Sequence, residues 1–181
     1  MSLSDSKVLE LMKKGEIYIE PFKEKNLGPN SYDLRLASPI RVSKKAHKQI
    51  DITKDVPPSE LVELPYTISP FETVTFNTKE IVGCKSETLG VILPRSNSCT
   101  IPLLIYGVGL LDTGYRGTLK GLITNFSPNR IVLREDLRVC QIVFFEAQSV
   151  DVKYHLRESS KYMGQTTVPE FKIDKEWRER E

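Results

Sequence analysis

One carboxylate in the chain stands where it could do chemistry. Asp112 follows an apolar run and is flanked by glycines in residues 107–117, GVGLLDTGYRG, with Tyr115 close behind it. The apolar run predicts a buried strand, and the glycines permit a tight turn or a close approach to a ligand. A carboxylate in such a place is costly to bury unless it is satisfied or used. A β-hairpin whose turn carries an ordinary aspartate is the alternative interpretation.

Further polar side chains could hold an anionic ligand. Arg95, Ser96 and Ser98 follow an apolar strand, and a guanidinium with neighbouring hydroxyls suits phosphate. Gln141 lies inside another apolar strand, where a lone amide needs a partner from the backbone or from a ligand. Residues 159–166, SSKYMGQT, form a second cluster of donors around a glycine. A polar strand-to-loop transition and a flexible C-terminal loop are the alternative interpretations of the first and last clusters.

Cysteine and histidine usage excludes several classes of enzyme. The three cysteines, Cys84, Cys99 and Cys140, are odd in number and far apart, and no C-x-x-C occurs. Neither a disulfide framework nor a cysteine-rich zinc site is expected, and buried structural thiols are the preferred interpretation. The H-x-E and P-C-x-x-C patterns of zinc nucleobase deaminases are absent. His47 and His155 lie near no G-x-S-x-G elbow, which argues against a Ser-His-Asp hydrolase.

Length and composition predict one globular domain. The chain has 181 residues, of which 39% are hydrophobic and 28% charged, and its net charge is +2. This balance does not indicate a nucleic-acid partner, and no apolar stretch is long enough for a membrane span. Lys13, Lys14 and Glu16 interrupt the N-terminus too early for a signal peptide, so the cytoplasm is the expected compartment. We expect a domain over residues 1–169 and a charged tail over 170–181.

The elements that must position these side chains are mostly strands. Ser4 or Asp5 can cap an amphipathic helix that ends near Gly15. Short apolar or alternating segments then recur between turn residues, which predicts an all-β sandwich, jelly roll or distorted barrel. Residues 41–60 are polar and predict an exposed excursion. The predicted strands cover residues 17–20, 31–36, 66–68, 72–77, 88–93, 103–111, 117–125, 130–133 and 138–146.

Five segments, taken in order, resemble the family that unites trimeric dUTP pyrophosphatases (dUTPases) with dCTP deaminases that have no metal site in the protein. These segments are residues 28–36 (GPNSYDLRL), 94–96 (PRS), 107–117, 138–144 (RVCQIVF) and 161–165 (KYMGQ). The last one is similar to the deaminase-type C-terminal motif. The Gly-rich C-terminal motif of ordinary dUTPases, with its Arg and stacking Phe, is missing. The resemblance implies a distorted β-barrel or jelly-roll fold with a short N-terminal helix.

The resemblance also implies a homotrimer with active sites between subunits, and a deoxynucleoside triphosphate bound with Mg²⁺. Asp112 would activate a water for attack on the α-phosphate, and Tyr115 would pack on the deoxyribose. Backbone groups of residues 108–110 would read the base. The metal would be held mostly by the nucleotide and water, with Asp33 as an outer partner. The substrate-binding residues would be Arg95, Ser96, Ser98, Gly109, Tyr115, Gln141, Lys161 and Gln165.

Two positions separate the two activities of this family. Deaminases that this chain resembles carry a Glu ten residues after the Asp, where Leu122 stands here, and an Arg two residues before it, where Leu110 stands. A leucine can neither move a proton nor activate a water. We therefore predict Mg²⁺-dependent hydrolysis of dUTP to dUMP and pyrophosphate, with dCTP unchanged. A dCTP deaminase, monofunctional or bifunctional, and a catalytically silent nucleotide-binding protein are the alternatives.

Overall fold

Antiparallel strands dominate the part of the chain that the structure describes. The computed structural model describes residues 1–107, 109–158 and 160–174, without the side chain of Cys99. The helices are α1 (Asp5–Lys13) and α2 (Ser96–Thr100), and 3-10 turns cover Glu24–Asn26 and Tyr154–Leu156. The strands are β1 (Ile17–Glu20), β2 (Tyr32–Arg35), β3 (Ile40–Ser43), β4 (Ser59–Val62), β5 (Tyr66–Ile68), β6 (Thr73–Cys84), β7 (Thr88–Pro94), β8 (Leu103–Gly107), β9 (Leu110–Leu111), β10 (Arg116–Asn125), β11 (Ile131–Leu133) and β12 (Arg138–Glu146).

The largest sheet is built around the long strand β6. Its order is β4-β3-β6-β10-β8, and β1 also pairs with β6. Different parts of β6 pair with different strands. Ile17 of β1 is opposite Cys84 at one end of β6, and Val42 of β3 is opposite Val74 near the other end. A second sheet has the order β2-β12-β7-β9, and β11 pairs with β5 in a ribbon. The sheets do not close into a complete barrel.

The all-β class and the N-terminal helix predicted from the sequence are confirmed. Ser4 caps α1, because its hydroxyl accepts a hydrogen bond from the backbone N–H of Lys7 at 3.3 Å. Gly15 follows the helix with a φ of +69°, the left-handed conformation that commonly ends a helix. Residues 103–111, predicted as one strand, form β8 and β9, which pair with different strands.

Two further elements differ from their predicted form. β6 has 12 residues and runs well past residue 77, where the apolar alternation ends. Pairing with β1 and β10 extends it, and this support is not visible in the local sequence. Helix α2 occupies residues 96–100, where a polar strand-to-loop transition was the alternative interpretation. The Ser98 hydroxyl donates to the carbonyl of Arg95 at 2.5 Å and tightens the start of that turn.

A buried ion pair joins β2 to β6 in the core. Arg35 is only 3% exposed and donates through Nε to Glu80 Oε1 at 2.6 Å. A second donor of the same guanidinium reaches Asp136 at 2.8 Å. Burial of these charges is tolerated because each has a partner of opposite sign. Apolar side chains such as Phe76 and Phe144 fill the surrounding core.

The polar excursion and the C-terminal segment are both tied to the largest sheet. Residues 41–60 begin in β3 and end in β4, which pair with each other, and the part between them is largely exposed. The carboxylate of Glu170 accepts a hydrogen bond from Arg41 at 3.3 Å. Trp177 of the predicted tail lies outside the described residues. No helix among the described residues combines the length and the hydropathy needed to cross a membrane.

Candidate active site

Asp112 lies in a tight turn between β9 and β10. Its backbone carbonyl accepts a hydrogen bond from the N–H of Tyr115 at 3.0 Å. Gly114 has a φ of +90°, and a Cβ there would lie 2.8 Å from the Cβ of Lys153, so only glycine fits the turn without strain. The hydroxyl of Thr113 donates to the carbonyl of Thr88 at 2.8 Å. The turn is therefore held from several sides while the side chain of Asp112 remains exposed.

The carboxylate of Asp112 faces a small pocket. Within the described part of the chain, its oxygens accept no hydrogen bond and form no ion pair. They are therefore free to bind water or a ligand. The pocket has a volume of about 110 Å³. Besides Asp112, its lining consists of Leu110, Tyr115, Thr118, Leu119, Lys120, Tyr154, Tyr162 and Gln165.

Tyr115 forms a fixed wall of this pocket. Its hydroxyl donates to the carbonyl of Thr118 at 2.8 Å. Its ring contacts Tyr154 edge to face, with the ring centroids 5.4 Å apart. Burial raises the pKa of the Tyr115 hydroxyl far above its ordinary value, with a smaller contribution from Tyr154. The phenol therefore stays neutral, and its ring offers an apolar surface to a ligand.

Gln165 brings an unsatisfied acceptor to the same pocket. Its side-chain Nε2 donates to Asn77 Oδ1 at 3.1 Å, and its backbone carbonyl accepts from the N–H of Thr118 at 2.8 Å. Its Oε1 is buried and has no hydrogen-bond partner among the described residues. A buried amide oxygen without a partner is costly, so this atom is suited to a donor carried by a ligand or a water.

Other predicted binding residues lie elsewhere in the chain. Arg95 donates to Asp33 Oδ1 at 2.9 Å, and Arg138 donates to the other oxygen of that carboxylate at 3.0 Å. The side chain of Gln141 donates to the carbonyl of Pro94 at 3.3 Å. This group, with the exposed Ser96 and the buried Ser98, lies around the second sheet. None of its side chains lines the Asp112 pocket.

Lys161 and Gly109 border the pocket without lining it. Lys161 forms an ion pair with Asp174 of the C-terminal segment, and it lines a larger open cavity that also contains Gln165. The carbonyl of Gly109 accepts from the N–H of Ile92 at 2.9 Å, and the residue itself is exposed. Residues 108 and 159, which belong to two of the predicted motifs, lie outside the described residues.

Five described lining residues were not named individually from the sequence: Thr118, Leu119, Lys120, Tyr154 and Tyr162. The ammonium of Lys120 lies 3.2 Å from the centroid of the Tyr162 ring, a cation–π contact. Tyr162 stands inside the segment KYMGQ, so that motif could have identified it. Lys120 lies two positions before Leu122 on β10, so strand periodicity puts both side chains on the same face. Tyr154 carries no such signal in the sequence.

Leu122 lies beside the pocket. It is 41% exposed and lines a neighbouring cavity of about 370 Å³, which shares Lys120 and Tyr162 with the Asp112 pocket. Among the described residues that line that cavity, Glu170 is the one that carries a carboxylate, and it forms an ion pair with Arg41. Among the described residues that line the Asp112 pocket, Asp112 is the one that carries a carboxylate. The two cavities together thus contain few carboxylates that could act as a general acid or base.

Comparison with known proteins places the chain in a family. The sequence profile of the dCTP deaminase-like family matches residues 2–147. The chain belongs to this family. The resemblance inferred from the five segments is therefore confirmed. The chain is 32% identical over 174 residues to a dCTP deaminase, dUMP-forming, of Methanopyrus kandleri, with 90% of each chain covered. It is 28% identical over 170 residues to a protein of the same name from Aquifex aeolicus, covering 93% of this chain and 92% of that one.

The fold is also similar to a solved structure. The match to the 2′-deoxycytidine 5′-triphosphate deaminase of Agrobacterium tumefaciens has a TM-score of 0.63 at 18% identity. It covers 79% of this chain and 46% of that one, so the chain spans about half the length of the solved protein. At this level of identity the match concerns the fold alone.

The prediction of dUTP hydrolysis with dCTP unchanged is wrong. The curated relatives are named dCTP deaminase, dUMP-forming, and they match nearly the whole chain. That name corresponds to the alternative kept in the sequence analysis. The prediction rested on two substituted positions, Leu110 and Leu122, whereas the similarity to these relatives extends along nearly the whole chain. A single side chain does not fix a reaction, since another group or a water can take over proton transfer.

Proposed function

We propose that this protein converts dCTP to dUMP. The observation that carries the proposal is the pairing, in one pocket, of the unbonded carboxylate of Asp112 with the unsatisfied Oε1 of Gln165. The exocyclic amine of cytosine and the hydroxyl of deoxyribose are both donors that such an oxygen can accept. The names of the curated relatives support dCTP as the substrate.

The overall reaction consumes two waters. One adds to C4 of cytosine, where the C4–N4 bond breaks and ammonia leaves. The other attacks the α-phosphorus, where the bond to the bridging oxygen breaks and pyrophosphate leaves. Asp112 accepts a proton from an attacking water, a role that needs an accessible carboxylate. Tyr115 packs against the deoxyribose and leaves no room for a 2′-hydroxyl.

Magnesium enters this proposal as part of the nucleotide complex. The described residues contain no group of three or more His, Cys, Asp and Glu side chains that could hold a metal ion. Both oxygens of Asp33 are engaged by Arg95 and Arg138, so Asp33 is not a free outer partner within this chain. The residues present therefore fit a Mg²⁺ ion that is held by phosphate oxygens and water. Such an ion neutralises the charge of the triphosphate.

A shared site between subunits would unite the two groups of binding residues. Arg95, Ser96, Ser98 and Gln141 do not reach the Asp112 pocket of their own chain. In a homotrimer, the same residues of a neighbouring subunit complete the pocket and hold the phosphates together with Lys161 and Gln165. The exposed apolar side chains along the edge strand β8, Leu104 and Tyr106, are consistent with a covered interface.

Binding of a nucleotide without deamination is a second candidate, favoured by Leu122. The position holds an apolar side chain where the deaminases that this chain resembles have a Glu, and Leu122 faces the cavity next to Asp112. If no other group supplies the proton transfers at C4, the protein binds a deoxynucleotide and leaves the base unchanged.

An assay with labelled dCTP separates the two candidates. The purified protein is incubated with dCTP and Mg²⁺, and dUMP, dUTP, ammonia and pyrophosphate are resolved, with a chelator added in a parallel sample. The expected result is equimolar dUMP and ammonia that require Mg²⁺. Calorimetric binding of dCTP with no ammonia would instead support the silent nucleotide-binding protein, and the absence of both binding and turnover would contradict both candidates.

A further inference from the structure

A second cavity also has Tyr115 in its wall. This cavity has a volume of about 530 Å³ and shares Tyr115 with the Asp112 pocket, which it otherwise does not overlap. Its walls come from the turn after α1, the end of β6, the start of β10 and the segment around residues 153–155. The volume is within the range of roughly 300–1,000 Å³ that is typical of small-molecule sites.

Basic side chains outnumber acidic ones in the lining of this cavity. Lys85, Arg116 and Lys153 line it together with His155, and Glu16 is the acidic residue among its described lining. None of the three permanent cations forms an ion pair within the described part of the chain. Cations gathered without anionic partners repel each other, so this arrangement gains stability when an anion binds among them.

Two of the basic side chains are oriented by neutral contacts. The guanidinium carbon of Arg116 lies 3.6 Å from the centroid of the Tyr18 ring, a cation–π contact. Nδ1 of His155 lies 3.2 Å from the carbonyl oxygen of Gly114. Since a carbonyl can only accept, Nδ1 carries the hydrogen, and Nε2 is left for another partner.

Glu16 adds a requirement on the ligand. One oxygen of its carboxylate, Oε2, is buried and has no hydrogen-bond partner among the described residues. A buried carboxylate oxygen is costly unless it receives a hydrogen bond. Because Glu16 lines the cavity, a hydroxyl group of a bound ligand would satisfy this oxygen. A bare inorganic anion carries fewer such donors.

We propose that this cavity is a binding site for a sugar phosphate. The phosphate group lies among Lys85, Arg116 and Lys153, and a sugar hydroxyl donates to Glu16. The site is separate from the Asp112 pocket and does not depend on which reaction occurs there. Because Gly114 and Tyr115 line the cavity, a bound ligand contacts the turn that carries Asp112.

Ribose 5-phosphate is the probe, and histidine ring resonances are the readout. The chain has two histidines. His155 lines the cavity, whereas His47 lies in the exposed excursion and serves as an internal control. Titration with ribose 5-phosphate should shift the ring-proton resonances of His155 saturably and leave those of His47 unchanged. The fitted dissociation constant should rise with added salt, because charge attraction is screened. Inorganic phosphate should bind several-fold more weakly, since it lacks the sugar hydroxyls.

Variants of two of the lining cations localise the binding. Arg116→Gln and Lys153→Gln should each weaken ribose 5-phosphate binding by about tenfold or more, the loss expected for a hydrogen bond to a charged group. Lys45→Gln, which removes an exposed cation elsewhere, should leave the affinity unchanged. Unshifted His155 signals at saturating probe, or equal affinity in all three variants, would overturn the proposed site. Equal affinity for inorganic phosphate would overturn the assignment of the sugar.

Discussion

Asp112 is the residue on which the proposed chemistry depends. It combines an exposed, unbonded carboxylate with a backbone held rigidly by Gly114 and Thr113. Such a combination keeps the side chain available while its position stays fixed, which is what proton transfer from a bound water requires. Gln165 acts differently, because its free oxygen can only accept a hydrogen bond and so contributes to recognition.

Replacement of the carboxylate tests this role. Asp112→Asn keeps the shape of the side chain but cannot accept a proton, so dUMP formation from dCTP should fall by roughly 100- to 10,000-fold. The affinity for dCTP, measured by calorimetry, should change little. Asp151→Asn, at another exposed aspartate, is the matched control and should retain full activity. Near-normal turnover by Asp112→Asn would make Asp112 a structural residue of the turn.

The buried thiols make a second prediction at the residue scale. Burial raises the pKa of Cys84 and that of Cys140 to about 12. At pH 8 the reactive thiolate is then on the order of one part in ten thousand of each thiol. Neither cysteine should react with iodoacetamide in the folded protein, whereas both should react in denaturant, as measured by peptide mass spectrometry. Rapid labelling of either one in the native state would contradict their burial.

These thiols also link stability to pH. The folded-state pKa lies above the unfolded value, so the neutral thiol is the form that folding favours. As pH rises beyond about 9, the unfolded chain loses protons that the folded chain retains. The free energy of unfolding should therefore decrease between about pH 9 and pH 12. Other groups that titrate in this range would add their own contributions to this change.

At the scale of elements, the turn between β9 and β10 requires one particular glycine. Gly114 has a positive φ and its missing Cβ would approach Lys153, whereas a Cβ at Gly109 would meet no atom within 4 Å. Gly114→Ala should lower the free energy of unfolding by at least about 1–2 kcal/mol, the strain of a left-handed residue with a side chain. Gly109→Ala is the matched control and should be nearly neutral in denaturant unfolding. Equal effects of the two changes would mean that the turn relaxes freely.

The ion pair between β2 and β6 is a second feature of the elements. Glu80 is fully buried against Arg35, whereas Glu60 pairs with Lys44 in a half-exposed site on β4. Glu80→Gln leaves a buried guanidinium without its full charge partner and should cost about 3–5 kcal/mol. Glu60→Gln should cost less than about 1 kcal/mol. Chemical denaturation of both variants measures the difference, and similar losses would contradict the structural role given to Arg35.

At the scale of the whole molecule, the proposed site is incomplete in a single chain. The Asp112 pocket is small, and the phosphate-binding candidates around Arg95 lie outside it. A neighbouring subunit is the simplest source of these groups. The exposed edge strand β8 offers an apolar surface for such a neighbour.

Mixing experiments test the shared site. Ser96→Ala and Asp112→Asn subunits are each expected to have low activity as separate proteins. After dissociation and reassembly together, some sites would contain both intact groups, and dUMP formation should rise well above that of either parent. Light scattering should give the mass of a trimer for all samples. A fully active monomer would contradict the proposal, and a proven trimer without rescue would place Ser96 and Asp112 in the same chain's site.

The sequence alone determined the fold class, the N-terminal helix and the family. Strand periodicity and turn residues are local signals, and the five family segments retain their order along the chain. The sequence also predicted Asp112, Tyr115 and Gln165 as site residues, because glycines and a recognisable motif surround them, and the three line one pocket. It did not determine the reaction, since Leu110 and Leu122 pointed away from the activity named for the relatives.

Only the tertiary structure decided which side chains meet. The burial of Arg35 depends on Glu80, 45 positions away in sequence, and the extra length of β6 depends on the strands that pair with it. The separation of Arg95 from Asp112 and the basic cavity lined by Tyr115 also arise from contacts between distant segments. Local patterns cannot encode such contacts, because they depend on how the sheets pack rather than on any one stretch of chain.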